Sequence, residues 1–147
     1  MTPKTLTPPE TQALLAANSA AVYIDVRTVA EFAGGHPRGK VVNIPIVFHH
    51  PATKDIYPNT SFLEVIESLY DKAVSLIVGC DGTERAQQAA DTLVQAGYVD
   101  VSVMSEGLPG WRMAKLPTTT DNRDGISYVS LLMPVKRKGK KKTAAHA

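Results

Sequence analysis

Apolar residues recur along this chain with two alternating periods. Phe62, Val65, Ile66, Leu69 and Tyr70 fall three and four apart, as do Ala86, Ala89, Ala90, Leu93 and Val94. Each set marks one face of an amphipathic helix. Between such stretches lie short runs rich in β-branched residues, Ala21–Asp25, Val41–Ile44, Val74–Gly79 and Val99–Met104. They are too brief for helices and read as buried strands. Capping chemistry predicts where helices start. Thr7-Pro8-Pro9-Glu10, Thr28-Val29-Ala30-Glu31 and Ser61-Phe62-Leu63-Glu64 each pair a hydroxyl with an acid three residues on, and a fourth helix starts near Thr83 and is capped by Gly97.

Strands alternating with helices predict an α/β domain, its mainly parallel sheet covered by helices on both faces. Ligands of such sheets bind where strands end and loops enter helices. Three segments end there: Asp25-Val26-Arg27, the segment from Cys80, and Ser105-Glu106-Gly107. His49–Thr60, with Pro51 and Pro58, reads as a surface excursion. In the stretch 118–135, Tyr128–Val135 could add an edge strand or lie across the domain. Residues 136–147 read as a lysine-rich tail without fixed structure.

Length and composition narrow the class. At 147 residues, 44% hydrophobic and 20% charged, the chain fits one globular domain and not a collagenous or multi-span membrane protein. Residues 1–135 carry 10 Lys+Arg against 14 Asp+Glu, a balance of −4, whereas residues 136–147 carry 6 Lys+Arg and no acid. Contact with nucleic acid or an acidic membrane would therefore rest on the tail, and a solvated extension is the default reading. No run is apolar and long enough for a signal peptide core or a membrane helix, so a cytoplasmic protein is expected. One cysteine excludes an intramolecular disulfide and a multi-cysteine zinc site. His49 and His50 lack nearby partners and are poor metal ligands.

That cysteine carries the chemistry. In Val78-Gly79-Cys80-Asp81-Gly82-Thr83-Glu84-Arg85 a buried strand ends at Cys80 and a helix begins within five residues. The thiol is thereby placed among backbone amides at a helix N-terminus, which favours the thiolate, the nucleophilic form. Arg85 adds a fixed charge able to recognise an oxyanion. Asp81, Gly82, Thr83 and Glu84 complete the candidate substrate-binding loop.

Further blocks bear a resemblance. Asp25-Val26-Arg27-Thr28-Val29-Ala30-Glu31-Phe32, then Gly35-His36-Pro37-Arg38-Gly39 with Asn43-Ile44-Pro45, and finally Glu106-Gly107-Leu108-Pro109-Gly110-Trp111 with Leu116-Pro117 occur in order around the cysteine loop. Over residues 7–117 the chain resembles single-domain rhodaneses, the thiosulfate and related sulfurtransferases. The resemblance implies a three-layer α/β domain and a Cys80 persulfide that takes a sulfane sulfur from thiosulfate, a persulfide or mercaptopyruvate. A thiol or cyanide then accepts the sulfur, and no metal or organic cofactor is required. An alternative is a non-turnover persulfide carrier or sensor serving one acceptor protein.

The opening blocks also resemble rhodanese-like phosphatases and arsenate reductases. Those place five residues between cysteine and arginine, whereas Cys80 and Arg85 have four between them, a ring suited to one sulfur atom. The loop departs from the usual sulfurtransferase pattern as well, with Asp81 second and Glu84 fifth. At about 6 Å and an effective dielectric near 20, each such repulsion of an anion is on the order of 2–3 kcal/mol before screening. A donor less charged than thiosulfate is therefore expected. Asp25 and Arg27 are expected to form a salt bridge, Glu31 to cap the helix after Thr28, and His36 and Trp111 to be structural. Arg112 is a candidate for steering anions.

Overall fold

A computed structural model describes residues 2–146, and side chains as far as Lys138. In chain order the elements are β1 (Lys4–Leu6), α1 (Pro8–Ala17), β2 (Val22–Asp25), α2 (Val29–Ala33), β3 (His36–Pro37), β4 (Val41–Asn43), β5 (Val47–His49) and β6 (Ile56–Pro58). There follow α3 (Phe62–Leu69), β7 (Leu76–Gly79), α4 (Glu84–Gln95), β8 (Val101–Met104), α5 (Gly107–Met113), β9 (Thr118–Thr119) and α6 (Tyr128–His146). Five strands form a parallel sheet in the order β1-β8-β7-β2-β4. Two short antiparallel pairs, β3 with β9 and β5 with β6, lie outside it.

The sheet is buried on both faces, as its apolar strands require. Alternation along β2 sends Val22 and Ile24 to one side and Tyr23 to the other. On the first side, α3 contributes Phe62, Val65 and Ile66, α4 contributes Ala86, Ala89, Ala90 and Leu93, and α6 contributes Tyr128, Leu131 and Val135. On the second, Leu15 of α1, Phe32 of α2, and Leu108 and Trp111 of α5 pack around Tyr23 and Ile77. This is the three-layer α/β arrangement expected, with β7, the strand leading to Cys80, at its centre.

Two of the capping boxes form as read. The Thr7 and Thr28 hydroxyls accept from the Glu10 and Glu31 amides, and each glutamate reaches back to the N-cap amide. The Ser61 box does not form. Instead Asn59 Oδ1 accepts from the Ser61 amide, and the Ser61 hydroxyl accepts from Lys136 Nζ at 3.1 Å. Thr83 likewise makes no side-chain cap.

The stretch after α5 departs from expectation. Tyr128–Val135 is helix rather than edge strand, and α6 carries on through the lysine-rich run to His146. Tyr128, Leu131, Leu132 and Val135 are spaced three and four apart, and lysine extends a helix readily once an apolar face has anchored it. A strand does occur in the 118–135 stretch, but at Thr118–Thr119, against His36–Pro37. No helix among the described residues is long and apolar enough to cross a membrane.

Candidate functional site

Cys80 follows the central strand directly. Its carbonyl accepts from the Leu108 amide at 2.9 Å, which ties the cysteine loop to the start of α5. The chain then runs Asp81, Gly82, Thr83 and enters α4 at Glu84. Among the described residues, the N–H groups of Asp81, Gly82, Thr83, Glu84 and Arg85 donate to no carbonyl or side chain, although the next cap bond, Gln87 N–H to Thr83 C=O, is made at 2.8 Å. Unpaired amides at a helix start form an electropositive hollow. A Cβ placed on Gly82 would meet open space, so the hollow is open on that side.

The thiol lies deeper than the sequence suggests. Cys80 is 2% exposed and borders the apolar cluster beneath α3, α4 and α6. The loop above it is on the surface, with Asp81, Thr83 and Glu84 exposed.

Two glycines explain why the loop can sit there, and sequence reasoning gave neither this role. A Cβ on Gly79 would lie 1.7 Å from the Tyr23 hydroxyl oxygen, so the residue before the cysteine leaves room for that ring. Burial, and then the nearby Asp25 carboxylate, push the Tyr23 phenol well above its ordinary pKa, keeping it neutral. A Cβ on Gly107 would lie 2.5 Å from the Cys80 carbonyl oxygen and 2.6 Å from the Gly82 nitrogen. Gly107 also has φ of +58°, following Glu106 at +65°, a left-handed pair that turns β8 into α5.

Arg85 is placed differently from the expectation that it faces an oxyanion. Its Nη1 donates to Glu31 Oε1 at 2.8 Å, and its Nη2 donates to Glu31 Oε2 at 3.0 Å and to Asp81 Oδ1 at 2.8 Å. The Arg85 hydrogen bonds, opposed by partial burial and aided by Thr28, hold the Glu31 carboxyl at about 2, so it remains ionised. Arg85 is in turn raised above the ordinary arginine value, chiefly by Glu31. Glu31 is thus the helix cap expected of it and also a tie to a loop 54 residues away.

Behind Glu31 the β2–α2 turn is held by buried hydrogen bonds. Arg27 Nη2 donates to Asp25 Oδ2 at 2.8 Å and to the Gly35 carbonyl at 2.7 Å, with both partners of this expected salt bridge buried. Asn43 Nδ2 donates to the Asp25 and Arg27 carbonyls at 3.0 Å each, while its Oδ1 has no partner among the described residues. His36 and Trp111 are structural, as read. His36 stacks on Phe32 at 3.7 Å and its ring nitrogens meet the Pro37 and Asp121 carbonyls. Trp111 is fully buried and donates to the Pro117 carbonyl at 2.7 Å. Arg112 is exposed on α5, its guanidinium lying over Gly35. Among the described residues, no three His, Cys, Asp or Glu side chains converge as metal ligands would.

The chain is similar to known proteins. Thiosulfate sulfurtransferase 18 of Arabidopsis thaliana is 35% identical over 114 residues, 77% of this chain and 82% of its own length. The thiosulfate sulfurtransferase GlpE of Haemophilus influenzae is 32% identical over 117 residues, 80% of this chain and 95% of its own. The crystal structure of Rv0390 from M. tuberculosis superposes with a TM-score of 0.68 at 22% identity, covering 82% of this chain and 100% of that one, a likeness of fold. The sequence profile of the rhodanese-like domain matches residues 7–114, a span that holds four of the five strands of the central sheet, the Cys80 loop and the Gly107 buttress, and the chain belongs to that family.

Proposed function

We propose that this protein is a sulfurtransferase that carries a sulfane sulfur on Cys80. The observation that carries the reading is the lone cysteine at the end of the central strand, followed by five amides with no partner among the described residues. Family membership and relatives named thiosulfate sulfurtransferase support it.

In the first half-reaction the Cys80 thiolate attacks the outer sulfur of the donor. A new S–S bond forms to Cys80 and the donor's own bond to that sulfur breaks. The donor remainder departs with the electron pair: sulfite from thiosulfate, a thiolate from a persulfide, or the enolate of pyruvate from mercaptopyruvate, whose C–S bond is the one that breaks. In the second, an acceptor thiolate or cyanide attacks the outer sulfur of the persulfide and the Cys80 thiolate leaves. Dividing the transfer in this way replaces one difficult step by two easier ones. The amides of residues 81–85 stabilise the anion in both the thiolate and persulfide forms. Asp81 and Glu84 favour a persulfide or mercaptopyruvate over thiosulfate as donor.

Intact mass spectrometry after donor treatment tests the reading. The expected result is a gain of one sulfur atom that cyanide removes and that Cys80→Ser lacks. Absence of the adduct with every donor refutes it. The burial of Cys80 favours a second reading, a carrier that is loaded once and opened by an acceptor protein. Steady-state production of sulfite or thiocyanate from small donors excludes that alternative.

A further inference from the structure

Arg85 is the guanidinium nearest in sequence to Cys80, and three of its N–H bonds already end on carboxylates. Glu31 takes two in a bidentate pair and Asp81 takes the third. Glu31 is itself fixed, accepting from the Thr28 amide at 3.1 Å and the Thr28 hydroxyl at 2.9 Å. Glu31, Asp81 and Arg85 together carry a formal charge of −1, and the exposed Glu84 brings the rim to −2. A dianion approaching Cys80 meets that rim with the Arg85 guanidinium already committed to two carboxylates.

We infer that Glu31 determines donor specificity: by holding Arg85 it screens Cys80 from dianions and leaves the site to neutral or cationic persulfides of small thiols. The inference rests on the sulfurtransferase reading for the identity of the donor. Glu31 acts through Arg85 and is a positioning residue. It also marks a difference from what the names of the relatives suggest about thiosulfate.

Glu31→Gln isolates the charge, because glutamine at this position still completes a capping box with Thr28. Alkylation of the chain's single cysteine gives a readout that does not need turnover. Iodoacetate is an anion and iodoacetamide is neutral, and the ratio of their rates cancels any change in the thiolate fraction. In the intact protein the preference for iodoacetamide exceeds that of glutathione. In Glu31→Gln it falls by about three- to tenfold. Asp81→Asn, at an exposed site, lowers it in the same direction, whereas Glu31→Asp retains it. In sulfur transfer, Glu31→Gln lowers KM for thiosulfate with kcat little changed and leaves KM for a neutral persulfide where it was.

An alkylation ratio unchanged in both Glu31→Gln and Asp81→Asn overturns the screen, even if Cys80 transfers sulfur. A ratio that shifts as stated, in a protein that transfers no sulfur from any donor, upholds the screen and removes the sulfurtransferase reading instead.

Discussion

Gly107 and Cys80 belong to different loops, yet a single methyl group on Gly107 would stand 2.5 Å from the Cys80 carbonyl oxygen. The hollow at Cys80 has its shape because the start of α5 presses against it without a side chain, and because the Leu108 amide bonds the same carbonyl. Gly107→Ala is expected to cost about 1–3 kcal/mol through left-handed strain and overpacking. The loop must move to admit the methyl, so sulfur loading of Cys80 falls by roughly 10–100-fold. Parallel thermal melts and loading rates check both.

Gly79→Ala should destabilise by about 1–3 kcal/mol or more, since the new Cβ falls on the Tyr23 phenol. Tyr23→Leu in the same chain vacates that space and recovers part of the loss. Urea unfolding of the two single variants and the double variant measures the coupling, and simple additivity would contradict the contact.

Asp25 and Arg27 form a pair with side chains 1% and 6% exposed. Asp25→Asn leaves a buried guanidinium without its counter-charge and is expected to cost about 3–5 kcal/mol. Asp25→Asn with Arg27→Gln should cost less than the sum of the two singles. Chemical denaturation provides the comparison.

Acid sensitivity follows from Glu31. Its carboxyl ionises at about 2 in the folded protein against the ordinary 4.5, so the unfolded chain binds the proton first. The stability it contributes is complete above about pH 5 and is lost as pH falls through 4.5 toward 2. Glu31→Gln should cost about 1–2 kcal/mol at neutral pH and flatten this part of the profile. Equal pH dependence in both proteins would contradict the assignment.

The basic end of α6 gives a separable property. Removing residues 136–147 takes away six of the 16 basic residues and no acid, shifting the formal charge from +2 to −4. The truncated protein should lose salt-sensitive retention on heparin while loading Cys80 at the same rate, because Tyr128, Leu131 and Val135, which seat the helix, remain. Unchanged retention would show that the lysines do not act as a tether.

These relationships differ in how far the sequence reveals them. Strands β2, β4, β7 and β8 and the boxes at Thr7 and Thr28 depend on neighbours a few residues apart, and they are legible. Ser61 carries the same pattern but not the same structure, because Asn59 bonds its amide and its backbone, at φ −98° and ψ 2°, is not in the extended form an N-cap adopts. Lys4–Leu6 is three residues long and carries no periodicity, so its place beside β8 is invisible beforehand. Pro134 and the lysine run obscure the helical spacing of α6. The position of Cys80 is readable because strand, turn and helix follow one another. The partner of Arg85 is not, since Glu31 comes to it only through the tertiary fold.

The strand at the sheet edge has a consequence for synthesis. Lys4–Leu6 pairs with Ser102–Met104, nearly one hundred positions later. During translation Lys4–Leu6 emerges well before β8, and its hydrogen-bonding groups stay unmatched by β8 until about residue 104 has left the ribosome. The sheet therefore closes late, and a nascent chain paused before β8 exposes an open strand edge, the point at which a chaperone would be most needed.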